Sequence, residues 1–159
     1  MIDYTQILPN LYVGTCPGGV EDIQELKDLC RVTAVLNLQT EEDLQERGIE
    51  WAAMEAIYKK FGMMIHRVPM RDFDHDHQRE HLAGAVKVLA DLLASGHVTY
   101  LHCNAGAGRS PLVAMAYLYW FRKMNREKAI KHVRRRRYCA PYEDLLEEGR
   151  TGCRDLPPP

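Results

Sequence analysis

The sequence predicts an α/β fold, a single domain with a central, mostly parallel sheet flanked by helices. Short β-prone apolar runs alternate along the chain with segments whose apolar residues recur at helical spacing. One such run, Val98 to His102, ends in a small-residue loop that opens directly into another helical segment, as a strand–loop–helix unit does. A chain of 159 residues, 46% hydrophobic and 27% charged, can also bury a substantial core. No linker or internal repeat divides it, so residues 1–150 read as one domain and 151–159 as a Pro-rich tail.

The elements follow in order. Leu11–Gly14 reads as a short strand closed by the turn-forming Cys16-Pro17-Gly18-Gly19. Ile23, Leu26 and Leu29 place a helix over 20–29, and Val32–Leu38 is a buried-type strand. Residues 41–60 read as helix broken near Gly48, and 63–68 as a strand ending at Pro69. Residues 78–94 form a strong amphipathic helix with Leu82, Ala85, Val86, Leu89, Leu92 and Leu93 on its apolar face. After the strand at 98–102 come helices over 110–123, 126–136 and 142–148.

Net charge is −1, so no global field points to nucleic acid or an anionic membrane as partner. No apolar run is long enough to span a bilayer, and the start reads as neither signal nor transit segment. Cys16, Cys30, Cys103, Cys139 and Cys153 are odd in number and scattered, with no C-x-x-C pair. That pattern fits a reducing compartment better than a disulfide framework or a structural zinc site. A cytoplasmic monomer is the expectation.

The chemistry concentrates at His102-Cys103-Asn104-Ala105-Gly106-Ala107-Gly108-Arg109-Ser110. A glycine-containing loop at a helix N-terminus aims backbone N–H groups at one point and suits a tetrahedral oxyanion. Asn104 to Gly108 would supply that cradle. Arg109 offers a planar fork for two oxygens at once, which lysine lacks. Cys103 stands at the mouth as nucleophile, and only a thiolate attacks well. Ser110 would donate to the thiolate as it leaves, and His102 would order the loop. Cysteine alone is more often a buried core residue, but this whole string rarely arises by chance.

Cleaving a phosphate ester also needs a proton for the leaving oxygen and a base for water. Met70-Arg71-Asp72-Phe73-Asp74-His75-Asp76-His77 offers three carboxylates. Asp72 comes first after the strand, so it is the expected acid, ahead of Asp74 and then Asp76. The alternative for the other two is a solvated loop, or Asp76 capping the next helix. His77 and His81 sit four apart with His75 nearby, a spacing zinc uses, although surface histidines at a helix start are commoner. A calcium loop fails, because its sixth position is His77 and its twelfth Ala83. Arg134 to Arg137 reads as a solvated helix end or a rim drawing anions. Tyr117, Tyr119, Trp120 and Phe121 read as core; Trp51, Phe73, Tyr138 and Tyr142 less clearly so.

The string from His102 to Ser110 resembles the H-C-x5-R-S/T loop of protein tyrosine phosphatases, in a compact context like the dual-specificity branch. Further likeness, over roughly residues 4 to 150, is closest to plant glucan phosphatases acting on starch. It rests on Ile7 to Gly14, Leu36-Asn37-Leu38-Gln39, Arg71-Asp72-Phe73-Asp74, Ala116 to Trp120 and Arg137 to Pro141. The resemblance implies a protein tyrosine phosphatase-like fold, Cys103 as nucleophile, Arg109 as phosphate clamp and Asp72 as general acid. It also implies Phe73, with Tyr142, along a substrate channel, and no metal or other cofactor. This chain departs from glucan phosphatases in having Ala107 where they carry a long aliphatic residue, and no aromatic in 44–48.

The reading is therefore a cysteine-dependent phosphomonoester hydrolase. Phosphorylated protein ranks first as substrate, then phosphorylated carbohydrate, then a phosphoinositide head group. A non-catalytic phospho-ligand module would have lost the cysteine, arginine or acid. An arsenate reductase would need a resolving thiol, for which Cys139 is the candidate.

Overall fold

Alternation of side chains along the strands divides the core in two. The computed structural model describes residues 1–152, with strands β1 (Tyr4–Leu8), β2 (Leu11–Gly14), β3 (Ala34–Asn37), β4 (Met64–Arg67) and β5 (Thr99–His102). The helices are α1 (Val20–Cys30), α2 (Glu41–Glu46), α3 (Trp51–Lys60), α4 (His75–Ala94), α5 (Arg109–Trp120), α6 (Arg126–Arg134) and α7 (Leu145–Gly152). The five strands form one sheet in the order β1-β2-β5-β3-β4. β2, β5, β3 and β4 run parallel, and β1 pairs antiparallel with β2 at the edge.

Leu11, Val13, Ala34, Leu36 and Leu101 face one cluster, with α4 to α7. Their neighbours Tyr12, Val35 and Tyr100 face the other, with α1 and α3. Helices thus cover both faces, as a mostly parallel sheet requires. Cys103 has the parity of Leu101 and belongs to the first cluster. All six apolar residues predicted for α4 are buried, and each buried leucine contributes about 2 kcal/mol relative to exposure.

The predicted fold class holds, with several local corrections. β1 escaped the strand reading because its period is blurred: within it only Ile7 is buried. In α1 the buried stripe closes on Cys30, and Leu29 is 71% exposed. The break near Gly48 is real, with that glycine at φ +64° between α2 and α3. α4 begins at His75, not residue 78, because Asp74 is its N-cap, accepting from His77 N at 2.9 Å. Asp76 therefore does not cap it. α5 ends at Trp120, before Lys123, which takes φ +57°. α6 ends at Arg134, where the Arg136 and Arg137 amides both turn back to Val133 O. α7 starts at Leu145, after a turn that closes on Tyr142 O. Tyr117, Tyr119 and Trp120 are buried as expected. The Pro-rich tail and Cys153 lie outside the described residues. Among those described, no helix is long and apolar enough to cross a membrane.

Candidate active site

The four parallel strands end level. Asn37 is in register with both His102 and Arg67, and Gly14 with His102. The segments leaving these ends converge beyond the sheet's carboxyl edge, where ligands bind in such folds. β5 is central, so its loop, residues 103–108, is enclosed by the segments after β2, β3 and β4.

That loop is held from behind, carbonyl by carbonyl. Asn104 O accepts from Cys16 N at 3.0 Å, and Ala107 O accepts from Ala140 N at 2.8 Å. Ala105 O and Gly106 O accept from the Arg137 guanidinium, through Nη2 at 3.2 Å and Nε at 2.6 Å. A trans peptide directs its N–H opposite to its C=O. With the carbonyls fixed outward, the N–H groups of Ala105 to Gly108 turn inward, and none has a protein acceptor among the described residues. They sit at the N-terminus of α5, whose N-cap Gly108 makes no side-chain cap. The result is an anion nest on a helix dipole. Gly106 takes φ +65°, and a Cβ there would come within 2.6 Å of the Gly14 backbone. Of the Arg134–Arg137 run, Arg134 to Arg136 are exposed and Arg134 pairs with Glu143, as a solvated helix end with a salt bridge has it. Arg137 alone departs from that reading, as a buried brace.

Arg109 is fully buried beside the nest. Its Nη1 donates to Asp43 Oδ2 at 2.7 Å and to Met70 O at 2.8 Å. Nε and Nη2 form the other edge of the fork, and neither has a hydrogen-bond partner among the described residues. Asp72 Oδ2 lies 3.2 Å from Nη2, close enough for ion pairing but misaligned for a hydrogen bond. Two adjacent buried donors without acceptors suit a planar pair of oxygens. Cys103 Sγ lies 3.3 Å from Ser110 Oγ, and both residues are buried.

Asp43 escaped the sequence reading. It belongs to a Thr40/Asp43 capping box that starts α2. Besides Arg109, its carboxylate accepts from Asn104 Nδ2 at 2.8 Å. Burial pushes its carboxyl up, but hydrogen bonds from Arg109, the Thr40 backbone and Asn104 outweigh this and hold it below the usual range. The only local signal was the T-x-x-D pattern, which announces a cap and not a site. Gln39 also escaped it. Its Nε2 donates to Asn104 Oδ1 at 2.7 Å. His102 is buried, and its Nδ1 donates to Cys103 O at 3.0 Å. Burial lowers its pKa to about 4, with a partial offset from that bond, so the ring is neutral.

A cleft of about 720 Å³ opens over the nest, lined by Asp43, Asp72, Phe73 and Asn104 among others. Asp74 caps α4, and Asp76 pairs with Arg79 at 2.9 Å, so Asp72 alone of the three reaches Arg109. Phe73 takes φ +55° and is 87% exposed at the cleft wall. Tyr142 stands one layer back, its ring edge-on to His75 at 5.1 Å. The histidines do not converge on a metal. His75 engages Asp144 at 2.6 Å, and His77 Nδ1 accepts from Arg71 N at 3.0 Å. No group of three His, Cys, Asp or Glu residues is placed to hold a metal among the described residues. Cys139 is buried in the core, and burial pushes its thiol up, which ill suits a resolving cysteine.

Residues 11–144 match the dual specificity phosphatase catalytic domain. The chain belongs to that family. Among curated relatives of this phosphatase domain, laforin of Mus musculus is 35% identical over 127 residues, covering 74% of this chain and 38% of that protein. Phosphoglucan phosphatase DSP4, amyloplastic, of Castanea sativa is 32% identical over 148 residues, covering 92% of this chain and 39% of that protein. The chain thus spans about two fifths of the length of these relatives. The crystal structure of PTPMT1 superposes with a TM-score of 0.76 at 21% identity, over 94% of this chain and 95% of that one. That likeness establishes the shared phosphatase fold.

Proposed function

We propose that this chain hydrolyses phosphomonoesters through a phosphocysteine intermediate. The observation that carries the reading is the Nε/Nη2 edge of buried Arg109, without a hydrogen-bond acceptor among the described residues, beside an inward-facing amide nest and Cys103. The edge would grip two phosphoryl oxygens, and the amides of Ala105 to Gly108 the third, with Asn104 holding the start of the loop. Cys103 Sγ attacks phosphorus while Asp72 protonates the departing ester oxygen, giving alcohol and phosphocysteine. Asp72 then takes a proton from water as it attacks, releasing inorganic phosphate. Ser110 Oγ donates to the sulfur as the S–P bond breaks. No step calls for a metal. A nucleophilic thiol persists where thiols stay reduced, so this reading places the work in a reducing compartment such as the cytoplasm. The site is assembled within one chain, in keeping with a monomer.

Phosphorylated protein is the first-choice substrate, since the cleft is open and Phe73 stands exposed at its wall, with Tyr142 one layer back. Phosphorylated carbohydrate is the second, favoured by the name of the Castanea sativa relative, a phosphoglucan phosphatase. The test is release of phosphate from an aryl phosphate by purified protein in excess chelator. Cys103→Ser is expected to abolish turnover while still binding tungstate, and acid quenching of wild type to trap a phosphoenzyme. Wild-type protein that binds tungstate but never turns over would reduce the site to a binding module.

A further inference from the structure

The cleft over the nest has a charge its chemistry does not use. Asp43 and Asp72 lie at its floor against Arg109. Four more carboxylates, Glu42, Glu46, Asp74 and Asp76, line the wall, with Arg71 the one cationic side chain there. Asp74 caps α4 and lies 3.9 Å from Arg71, and Asp76 pairs with Arg79. Glu42 and Glu46 are exposed, and neither has an ion pair or hydrogen bond among the described residues.

Folding explains only half of this pair. Glu42 stands in the first turn of α2, where the helix dipole favours an anion, but Glu46 is the last residue, where the dipole disfavours one, and the two like charges repel one turn apart. The floor of the same cleft makes the opposite demand. Arg109, wholly buried, presents two donors without acceptors, which call for an oxyanion. A phosphate dianion entering past uncompensated carboxylates is repelled unless its carrier brings positive charge.

We infer that Glu42 and Glu46 are specificity determinants that select a phosphorylated residue embedded in a Lys/Arg-rich peptide segment. The phosphate occupies the nest while flanking cations meet the α2 carboxylates. This rests on the phosphatase reading and names the substrate class within it. Anionic carriers, such as inositol lipids with a second phosphate or acidic phosphopeptides, are selected against.

The test compares kcat/KM for two phosphopeptides of equal length, one with Lys/Arg flanks and one with Asp/Glu flanks. An aryl phosphate is the control. The basic peptide is expected to win by about tenfold at low salt, and the gap to close as screening reaches about 0.5 M salt. Glu42→Gln with Glu46→Gln is expected to shrink the preference to about twofold, while aryl phosphate, a dianion without a cationic carrier, gains slightly in kcat/KM at low salt rather than losing. Equal rates on the two peptides, a preference untouched by salt, or faster release from solubilised phosphoglucan or a phosphoinositide would overturn the inference. Loss of aryl phosphate turnover in wild type would instead remove the phosphatase reading itself.

Discussion

The floor and the rim of the cleft are built on opposite principles. At the floor the groups are tied by hydrogen bonds from separate segments of the chain. Arg109 is tied by Asp43 and Met70 O, the loop carbonyls by Cys16, Arg137 and Ala140, and Cys103 O by His102. At the rim, Phe73 is exposed on a positive-φ backbone, and Glu42 and Glu46 lack partners among the described residues. On the proposed function, reaction geometry tolerates little displacement and is therefore buried. Recognition would then sit on side chains that can change without disturbing that geometry.

Substitutions can break this contrast. Asp43→Ala removes one partner of a buried ion pair and leaves Arg109 Nη1 half-satisfied. A loss of about 4 kcal/mol in urea unfolding is expected; a loss below about 1 kcal/mol would show that the floor is not over-determined. Asp72→Ala is expected to slow esters with poor leaving groups by about a thousandfold while sparing activated aryl phosphates. If Asp74→Ala gives that split and Asp72→Ala does not, the acid is misassigned.

His102 tests the floor by pH. Its folded pKa of about 4 lies below the unfolded value near 6.5. Protons therefore bind the unfolded chain preferentially between those values. Stability is full above about pH 6.5 and falls by about 3 kcal/mol on the way to pH 4. His102→Gln should flatten that part of the curve, measured as unfolding free energy at pH 7 and pH 4.5. The smallest effect belongs to the rim: Phe73→Ala should change KM for bulky substrates by about threefold and leave melting unchanged.

The contrast also explains what a linear reading can find. The nest, Cys103, Arg109 and Ser110 are contiguous, so their spacing displays them, and Asp72 follows a strand end where an acid belongs. The α4 face emerged from period alone. Asp43, Gln39 and Arg137 did not, because each acts on the loop across 31 to 66 residues of sequence. A capping motif and an arginine run look the same whether they serve a surface or a buried guanidinium. β1 was missed for a related reason: its alternation is broken at a sheet edge, and it is defined by its pairing with β2.

Arg137 carries a consequence for synthesis. A nascent chain that has emerged through α5 already contains Cys103, Arg109 and Asp72, yet Ala105 O and Gly106 O still lack the guanidinium that turns them. Ala140, which turns Ala107 O, comes later still. The loop is thus finished by a guanidinium that leaves the ribosome 31 residues after the carbonyl it holds, and a chain truncated before Arg137 would carry the complete motif without its cradle.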